Sequence, residues 1–112
     1  MLPLTEAMKS YIDNKGDMSF AELHRRPEFK DFNVNGKMGM TNDQLNIVYW
    51  AGISDDTCNA IKELLANGYK MRPTAILVYY CDGMTLKFPI VQKPPKNGYK
   101  ELHWLPVVIV KG

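Results

Sequence analysis

The sequence is poor in cysteine and has no long hydrophobic run. Its two cysteines, Cys58 and Cys81, are too few for a disulfide framework or a four-cysteine zinc site. The longest apolar stretches, residues 75–81 and 105–110, have the length of strands, well short of the roughly 18 residues of a membrane-spanning helix. The N-terminus also lacks a basic region followed by an apolar one. These absences predict a protein of the reducing cytoplasm with no membrane partner.

Catalytic and cofactor-binding motifs are lacking as well. The two histidines, His24 and His103, have no metal-binding spacing such as HExxH or CxxC near them. The sequence contains no GxSxG elbow, P-loop or GxGxxG, and residues 36–39 lack the strand and the Ser/Thr of a phosphate-binding loop. We therefore predict that the protein is not an enzyme and that it holds no metal or cofactor.

Charge is nearly balanced overall but unevenly distributed along the chain. The formal net charge is +2. Residues 1–56 carry six Lys/Arg and nine Asp/Glu, whereas residues 57–112 carry eight and three, which gives −3 and +5. A basic second half indicates an anionic partner, although small proteins also segregate charge by chance.

Helical periodicity predicts two helices in the first 30 residues. The first begins near Thr5 and ends near Asn14. Ser19 and Glu22 have the spacing of a capping box, which predicts a second, short helix that Pro27 ends. Residues 28–40 are predicted to be mostly irregular, with Asn35, Gly36 and Gly39 as turn residues and a short strand at residues 32–34 as an alternative.

Residues 41–68 predict two more helices joined by a turn. Thr41 and Gln44 match the capping-box spacing for a helix that Gly52 ends, because glycine adopts the left-handed conformation without steric penalty. Ser54 is a suitable N-cap for the helix that follows.

From residue 74 onwards the apolar period changes to two, which is typical of strands. Residues 74–81 and 85–91 flank the pair Asp82 and Gly83, and this pattern predicts a tight β-hairpin.

The predicted helix pair around Gly52 resembles the helix-turn-helix superfamily. Because a predicted hairpin follows it, the resemblance is to the winged members of that superfamily. Apolar residues stand at the offsets where this motif buries side chains: Ile47, Ala51, Ile53, Cys58 and Ile61. Val48 departs from the pattern, since the motif usually has alanine or glycine there. The resemblance covers about residues 41–91. It implies one winged-helix-like domain over residues 1–112, an α+β fold of about four helices followed by a three-stranded antiparallel β-meander.

The resemblance implies a small nucleic-acid-binding or transcription-regulatory protein, with duplex DNA as its partner. In such a fold the second helix of the motif, within residues 41–68, reads bases, and a basic wing at about residues 85–100 grips phosphates. The residues expected to contact nucleic acid are Thr57, Asn59, Lys62, Lys70, Arg72, Lys87, Lys93, Lys96 and Lys100. Asp55 and Asp56 oppose phosphate binding, and the sequence leaves open whether they exclude docking in the major groove.

The alternative is a protein–protein adaptor or inhibitor that keeps the winged fold without contacting DNA. A last strand is predicted at about residues 101–110, where Pro106 favours an edge position or a bulge. This strand is apolar on both faces, and the helices of a small domain cover only one of them. A homodimer or another protein would then cover the second face through Trp104, Leu105, Val107 and Ile109. A compact single domain without catalytic motifs is similar to the small accessory proteins of phages and mobile elements.

Overall fold

The computed structural model describes residues 1–92 and 98–112. The described residues form four α-helices: α1 (Pro3–Lys15), α2 (Phe20–Arg25), α3 (Asp55–Ala66) and α4 (Leu77–Cys81). They also form six strands: β1 (Asp17–Ser19), β2 (Asn35–Asn42), β3 (Ile47–Ile53), β4 (Tyr69–Pro73), β5 (His103–Trp104) and β6 (Val107–Lys111). The predicted α+β class and the number of helices are confirmed. None of the described helices is long and apolar enough to cross a membrane.

The strands form two separate sheets, so the predicted single meander is wrong. The first sheet has the order β1-β6-β4, and all of its pairings are antiparallel. The second sheet has the order β2-β3-β5, in which β2 pairs antiparallel and β5 pairs parallel with β3. The outermost strands of the two sheets are therefore β1 and β4 in one and β2 and β5 in the other.

The helix predicted before Gly52 is a β-hairpin instead. Strands β2 and β3 are joined by a turn in which the Asn42 side chain accepts a hydrogen bond from the Leu45 amide at 3.2 Å. Asn46 then adopts a positive φ of 51°. Asparagine favours such turns because its side chain bonds to nearby backbone, and the β-branched and aromatic residues that follow favour a strand. Residues 41–68 consequently contain one helix, α3, and no helix-turn-helix.

The hairpin predicted around Asp82 and Gly83 is also wrong, because the glycine ends a helix. Gly83 has φ +67°. Its amide donates to the Tyr80 carbonyl at 3.0 Å, as in the glycine cap that commonly closes a helix. Residues 84–92 contain no strand, only an isolated bridge from Ile90 to Trp104.

The predicted last strand is divided between the two sheets. It breaks at Leu105 and Pro106, so that β5 lies at the edge of the second sheet while β6 is the centre of the first. Proline lacks the amide donor that a ladder needs, which explains why the chain leaves one sheet there.

An aromatic cluster joins the helices to the second sheet. The Trp50 ring lies 5.1 Å from Tyr79, 5.9 Å from Trp104 and 5.8 Å from Phe20, measured between centroids. Tyr79 and Trp104 are fully buried. Such pairs add roughly 0.5–1.5 kcal/mol each beyond the burial of their area.

The Tyr79 hydroxyl links α2 to β6 inside this cluster. It donates to the Val107 carbonyl at 2.6 Å and accepts from the Phe20 amide at 3.1 Å. Burial raises the pKa of Tyr79 well above its ordinary value, so the hydroxyl keeps the proton that it donates.

We expect Tyr79→Phe to lower the free energy of unfolding by about 1–3 kcal/mol, because it leaves a buried amide and a buried carbonyl without a partner. Urea titration of the variant measures this loss. Tyr80→Phe is the matched control, since Tyr80 is 59% exposed, and it should change stability by less than about 0.5 kcal/mol. Equal stability of the two variants would contradict the buried role of the Tyr79 hydroxyl.

The predicted capping box of α2 is confirmed and connects this helix to α1. Ser19 Oγ accepts from the Glu22 amide at 3.1 Å, and Glu22 Oε1 accepts from the Ser19 amide at 3.0 Å. The other Glu22 oxygen accepts from the Tyr11 hydroxyl and the Lys15 ammonium. Burial by itself raises the pKa of Glu22, but these hydrogen bonds outweigh it and hold the pKa below its ordinary value.

Glu22→Gln should therefore reduce the pH dependence of stability on the acid side. The folded-state pKa of Glu22 lies below the unfolded value of about 4.3. Its charge thus stabilises the fold fully above that pH, and the contribution is lost as the pH falls through the folded-state pKa. Urea unfolding between about pH 2 and 7 measures the slope. Glu28→Gln, which removes only an exposed carboxylate 3.7 Å from Arg26, should leave the profile close to that of the parent.

Candidate functional site

Of the residues predicted to read bases, Thr57 is buried and Asn59 is exposed on α3. The Thr57 hydroxyl donates to the Val34 carbonyl at 3.0 Å, and the Thr57 amide donates to the N-cap hydroxyl of Ser54 at 3.0 Å. The prediction that Thr57 faces a base is therefore wrong, because its polar groups hold the start of α3 in place.

The predicted phosphate-binding residues divide between different surfaces. Lys70 and Arg72 are exposed at alternate positions of β4, so they share one face of the first sheet. Met71 points to the opposite face, and Lys62 of α3 lies beside Met71. Lys87 and Lys100 are exposed on irregular segments. Lys93 and Lys96, which were also predicted to bind phosphates, lie outside the described residues. Among the members of this set that the structure describes, Lys70 and Arg72 are the two that share a face of one strand.

The predicted partner surface on the last strand is in fact core. Trp104, Val107 and Ile109 are each at most 1% exposed, and Leu105 is half-buried. The Trp104 indole donates to the Tyr49 carbonyl at 3.3 Å. Trp104 lies on the edge strand β5, whereas Val107 and Ile109 lie on the central strand β6, and all three side chains are buried within the chain itself.

Helix α3 is acidic and has the β2–β3 hairpin packed along it. Its sequence holds three carboxylates and one lysine, a formal net charge of −2. At its N-terminus the backbone of Gly36 on β2 passes so close that a Cβ there would lie 2.6 Å from the Ile53 oxygen and from the Ser54 Cα. Only glycine permits this approach, since the neighbouring atoms are backbone.

His24 fastens the same hairpin to α2. Its Nε2 accepts from the Trp50 indole at 2.9 Å, and its Nδ1 lies 2.6 Å from the Asn35 side-chain oxygen. These bonds need a neutral imidazole with the proton on Nδ1. They occupy both ring nitrogens, so His24 acts as a structural link between α2 and the two strands.

We expect Gly36→Ala to push β2 away from Ile53 at the end of β3 and from Ser54, the N-cap of α3, and to lower the free energy of unfolding by about 1–3 kcal/mol, as overpacking typically does. Urea titration gives the stability, and amide chemical shifts of the α3 N-terminus report the displacement. Lys37→Ala, an exposed neighbour on the same strand, should change neither quantity appreciably. A Gly36→Ala variant as stable as Lys37→Ala would refute the close packing.

A groove of about 240 Å³ lies between the hairpin, α3 and β4. Its lining is mostly apolar and rich in methionine, and it comprises Met38, Gly39, Met40, Thr41, Tyr49, Cys58, Lys62 and Met71. Lys62 is the one charged residue among these, and no carboxylate lines the groove. Burial raises the pKa of the Cys58 thiol, which makes it a packing group rather than a nucleophile.

The groove is formed by residues that are distant in sequence. The sequence predicts Gly36 and Gly39 to be turn residues, whereas both lie in strand β2, where Gly36 approaches Ile53 and Ser54 and Gly39 approaches Trp50. The two methionines spaced by two residues, Met38 and Met40, were the available signal for a strand.

The other histidine, His103, packs against neighbouring residues of the chain. The His103 ring stacks on Tyr99 at 3.7 Å between centroids, and its Nδ1 lies 2.9 Å from the Glu101 carbonyl. Within residues 1–92 and 98–112, no three His, Cys, Asp or Glu side chains are grouped as a metal ion requires.

Comparison of the chain with protein-family models, with curated proteins and with solved structures found no match.

Proposed function

We propose that the chain is a non-enzymatic protein-binding module, an adaptor or inhibitor, built on a winged-helix-like core. The order of its elements supports the winged-helix part of this proposal. Without the β2–β3 hairpin, the chain runs α1, β1, α2, α3, β4, β6, and the antiparallel sheet has the order β1-β6-β4. This order matches the one expected of a winged helix and so supports the proposal, in which α2 and α3 would be the helix pair.

The β2–β3 hairpin, which lies between α2 and α3 in the sequence and packs along α3, favours a protein partner over DNA. A helix with its side chains is about 10–12 Å across and fills a major groove about 12 Å wide. A strand packed beside the helix would obstruct that docking on the side where the strand lies. The net charge of −2 on α3 also opposes the phosphate attraction on which most DNA affinity depends.

Nucleic-acid binding is the second candidate, and the paired cations of β4 favour it. Lys70 and Arg72 are exposed on one face of the first sheet, away from the acidic helix. Two cations are few for this purpose, since DNA-binding proteins commonly neutralise about six to ten phosphates.

A duplex titration separates these functions. Proteins that bind DNA non-specifically have dissociation constants of roughly 10⁻⁴–10⁻⁶ M at physiological salt and bind more tightly at lower salt. We expect no saturable change in the fluorescence anisotropy of a labelled random duplex at about 50 mM salt with protein up to about 100 μM. A random-peptide display library selected on the same protein should instead yield related sequences.

Charge variants identify the surface if the duplex does bind. Tightening by Asp55→Asn with Asp56→Asn would mean that α3 faces DNA and would overturn the protein-binding proposal. Loss of binding in Lys70→Ala with Arg72→Ala, and not in Lys9→Ala with Lys30→Ala, would establish the second candidate instead.

A further inference from the structure

His24 links helix α2 to both strands of the hairpin through a bond that only the neutral ring can make. The Trp50 indole is a donor without acceptor capacity, and it lies 2.9 Å from His24 Nε2. Nε2 therefore carries a lone pair, and the ring proton sits on Nδ1, 2.6 Å from the Asn35 side-chain oxygen. A second ring proton would go to Nε2 and would set two donors against each other.

The imidazole, rather than the indole, is the group that has room to move. Trp50 is 2% exposed, and its ring lies 5.1 Å from Tyr79 and 5.8 Å from Phe20 between centroids. Rotation of the indole would break these ring contacts. His24, by contrast, is half-buried and lies next to the last residue of α2, a helix of six residues. Its ring reaches solvent at the cost of its two hydrogen bonds.

Displacement of the ring also frees the start of β2. The Asn35 side chain has no other hydrogen bond to the part of the chain that the structure describes. Register shifts interrupt the pairing with β3 between Asn35 and Met38, so this end of the strand has an irregular ladder. The backbone of Gly36 lies against Ser54, the N-cap of α3. Release of residues 35–38 would therefore reach the start of α3.

The charges around the ring do not favour a positively charged imidazole. Strand β3 has no Asp, Glu, Lys or Arg, and its titratable group is the Tyr49 phenol. The ring has no carboxylate partner among residues 1–92 and 98–112. Two arginines follow it directly in the sequence and oppose a further positive charge. The charged or titratable groups on α2, β2, α4 and the turn after α2 are Glu22, Arg25, Arg26, Glu28, Lys37, Tyr79, Tyr80, Cys81 and Asp82.

We propose that His24 is a pH switch for the hairpin. When its ring takes up a second proton, the bond from Trp50 is lost, the ring rotates towards solvent, and residues 35–38 separate from α2. Histidine is the side chain whose charge ordinarily changes between about pH 5 and 8, so mildly acid conditions operate the switch. The switch concerns the conformation of the hairpin, and it does not depend on which partner the chain binds.

The stability of the chain below neutral pH is the first test. The unfolded chain takes up this proton near pH 6.5, whereas the folded chain must give up the Trp50 bond, so stability falls as the pH drops. We expect urea titrations to give an equilibrium constant of unfolding up to about tenfold larger at about pH 5.5 than at about pH 7.5. His24→Gln supplies an amide that donates and accepts without titrating, and it should remove this increase. Equal pH dependence of variant and parent would overturn the proposal.

His103 provides the matched control. Its Nδ1 faces the Glu101 carbonyl at 2.9 Å, so a second proton on Nε2 leaves that bond intact. His103→Gln should therefore keep the pH dependence of the parent. A dependence that His103→Gln removes and His24→Gln retains would assign it to the wrong histidine and refute the switch.

The indole N–H resonance of Trp50 reports the bond itself. We expect it to shift between about pH 7.5 and 5.5, together with the ring protons of His24 and the amides of residues 35–38. The Trp104 indole donates to the Tyr49 carbonyl and should not shift. An unchanged Trp50 resonance while His24 takes up its proton contradicts the proposal. A His24 ring that stays neutral until the whole chain unfolds also contradicts it.

Asn35→Asp tests the second contact of the ring. A carboxylate at this position accepts from Nδ1 and favours the charged imidazole, so the Trp50 resonance should shift at a pH higher by about one unit. Asn33→Asp adds the same charge at an exposed position whose side chain does not bond to the ring, and its effect should be smaller. Equal effects of the two variants, or none from Asn35→Asp, would show that the Asn35 contact does not hold His24.

Discussion

The side chain of Trp50 joins the β2–β3 hairpin to the helices and to β5. Its ring lies beside Phe20 of α2, Tyr79 of α4 and Trp104 of β5, and its Nε1 donates to His24. Trp50 itself belongs to the hairpin. Because these contacts reach α2, α4 and the second sheet at once, the hairpin cannot move relative to the helices without exposing a large aromatic surface.

The inserted hairpin changes what the surrounding elements can do. Helices α1, α2 and α3 pack on the sheet of order β1-β6-β4, and the β2–β3 hairpin lies between α2 and α3 in the sequence. Here the N-terminus of α3 is bordered by the backbone of Gly36, and one side of the helix forms the wall of a methionine-lined groove. The hairpin therefore both borders the start of α3 and supplies most of the lining of this groove.

Local signals predicted the elements whose ends are fixed by side chains close in sequence. The capping box of Ser19 and Glu22 and the N-cap at Ser54 are such cases, since a hydroxyl and an amide three residues apart define a helix start without help from the rest of the chain. Thr41 and Gln44 have the same spacing and lie in a hairpin, because the strand preference of residues 47–50 and their burial in the core outweigh a cap.

Glycine was the most ambiguous local signal, because a single glycine is compatible with more than one structure. Gly83 with its preceding aspartate suits both a hairpin and a helix end, and only the packing of Tyr79 selects the helix. The groove could not be predicted, since it requires the relative placement of β2, α3 and β4. Residues 38 and 71 are neighbours there because of tertiary packing alone.

The strand order of the first sheet has a consequence for biosynthesis. Strands β1 and β4 never touch each other; both pair with β6, and Asp17 bonds across to Val110 at the far end of the sequence. A ribosome produces β6 after every other strand, so a nascent chain that stops at Pro106 has no ladder in this sheet. The ladders of this sheet therefore form only once residues 107–111 are available, and pairing across so long a loop is expected to be slow.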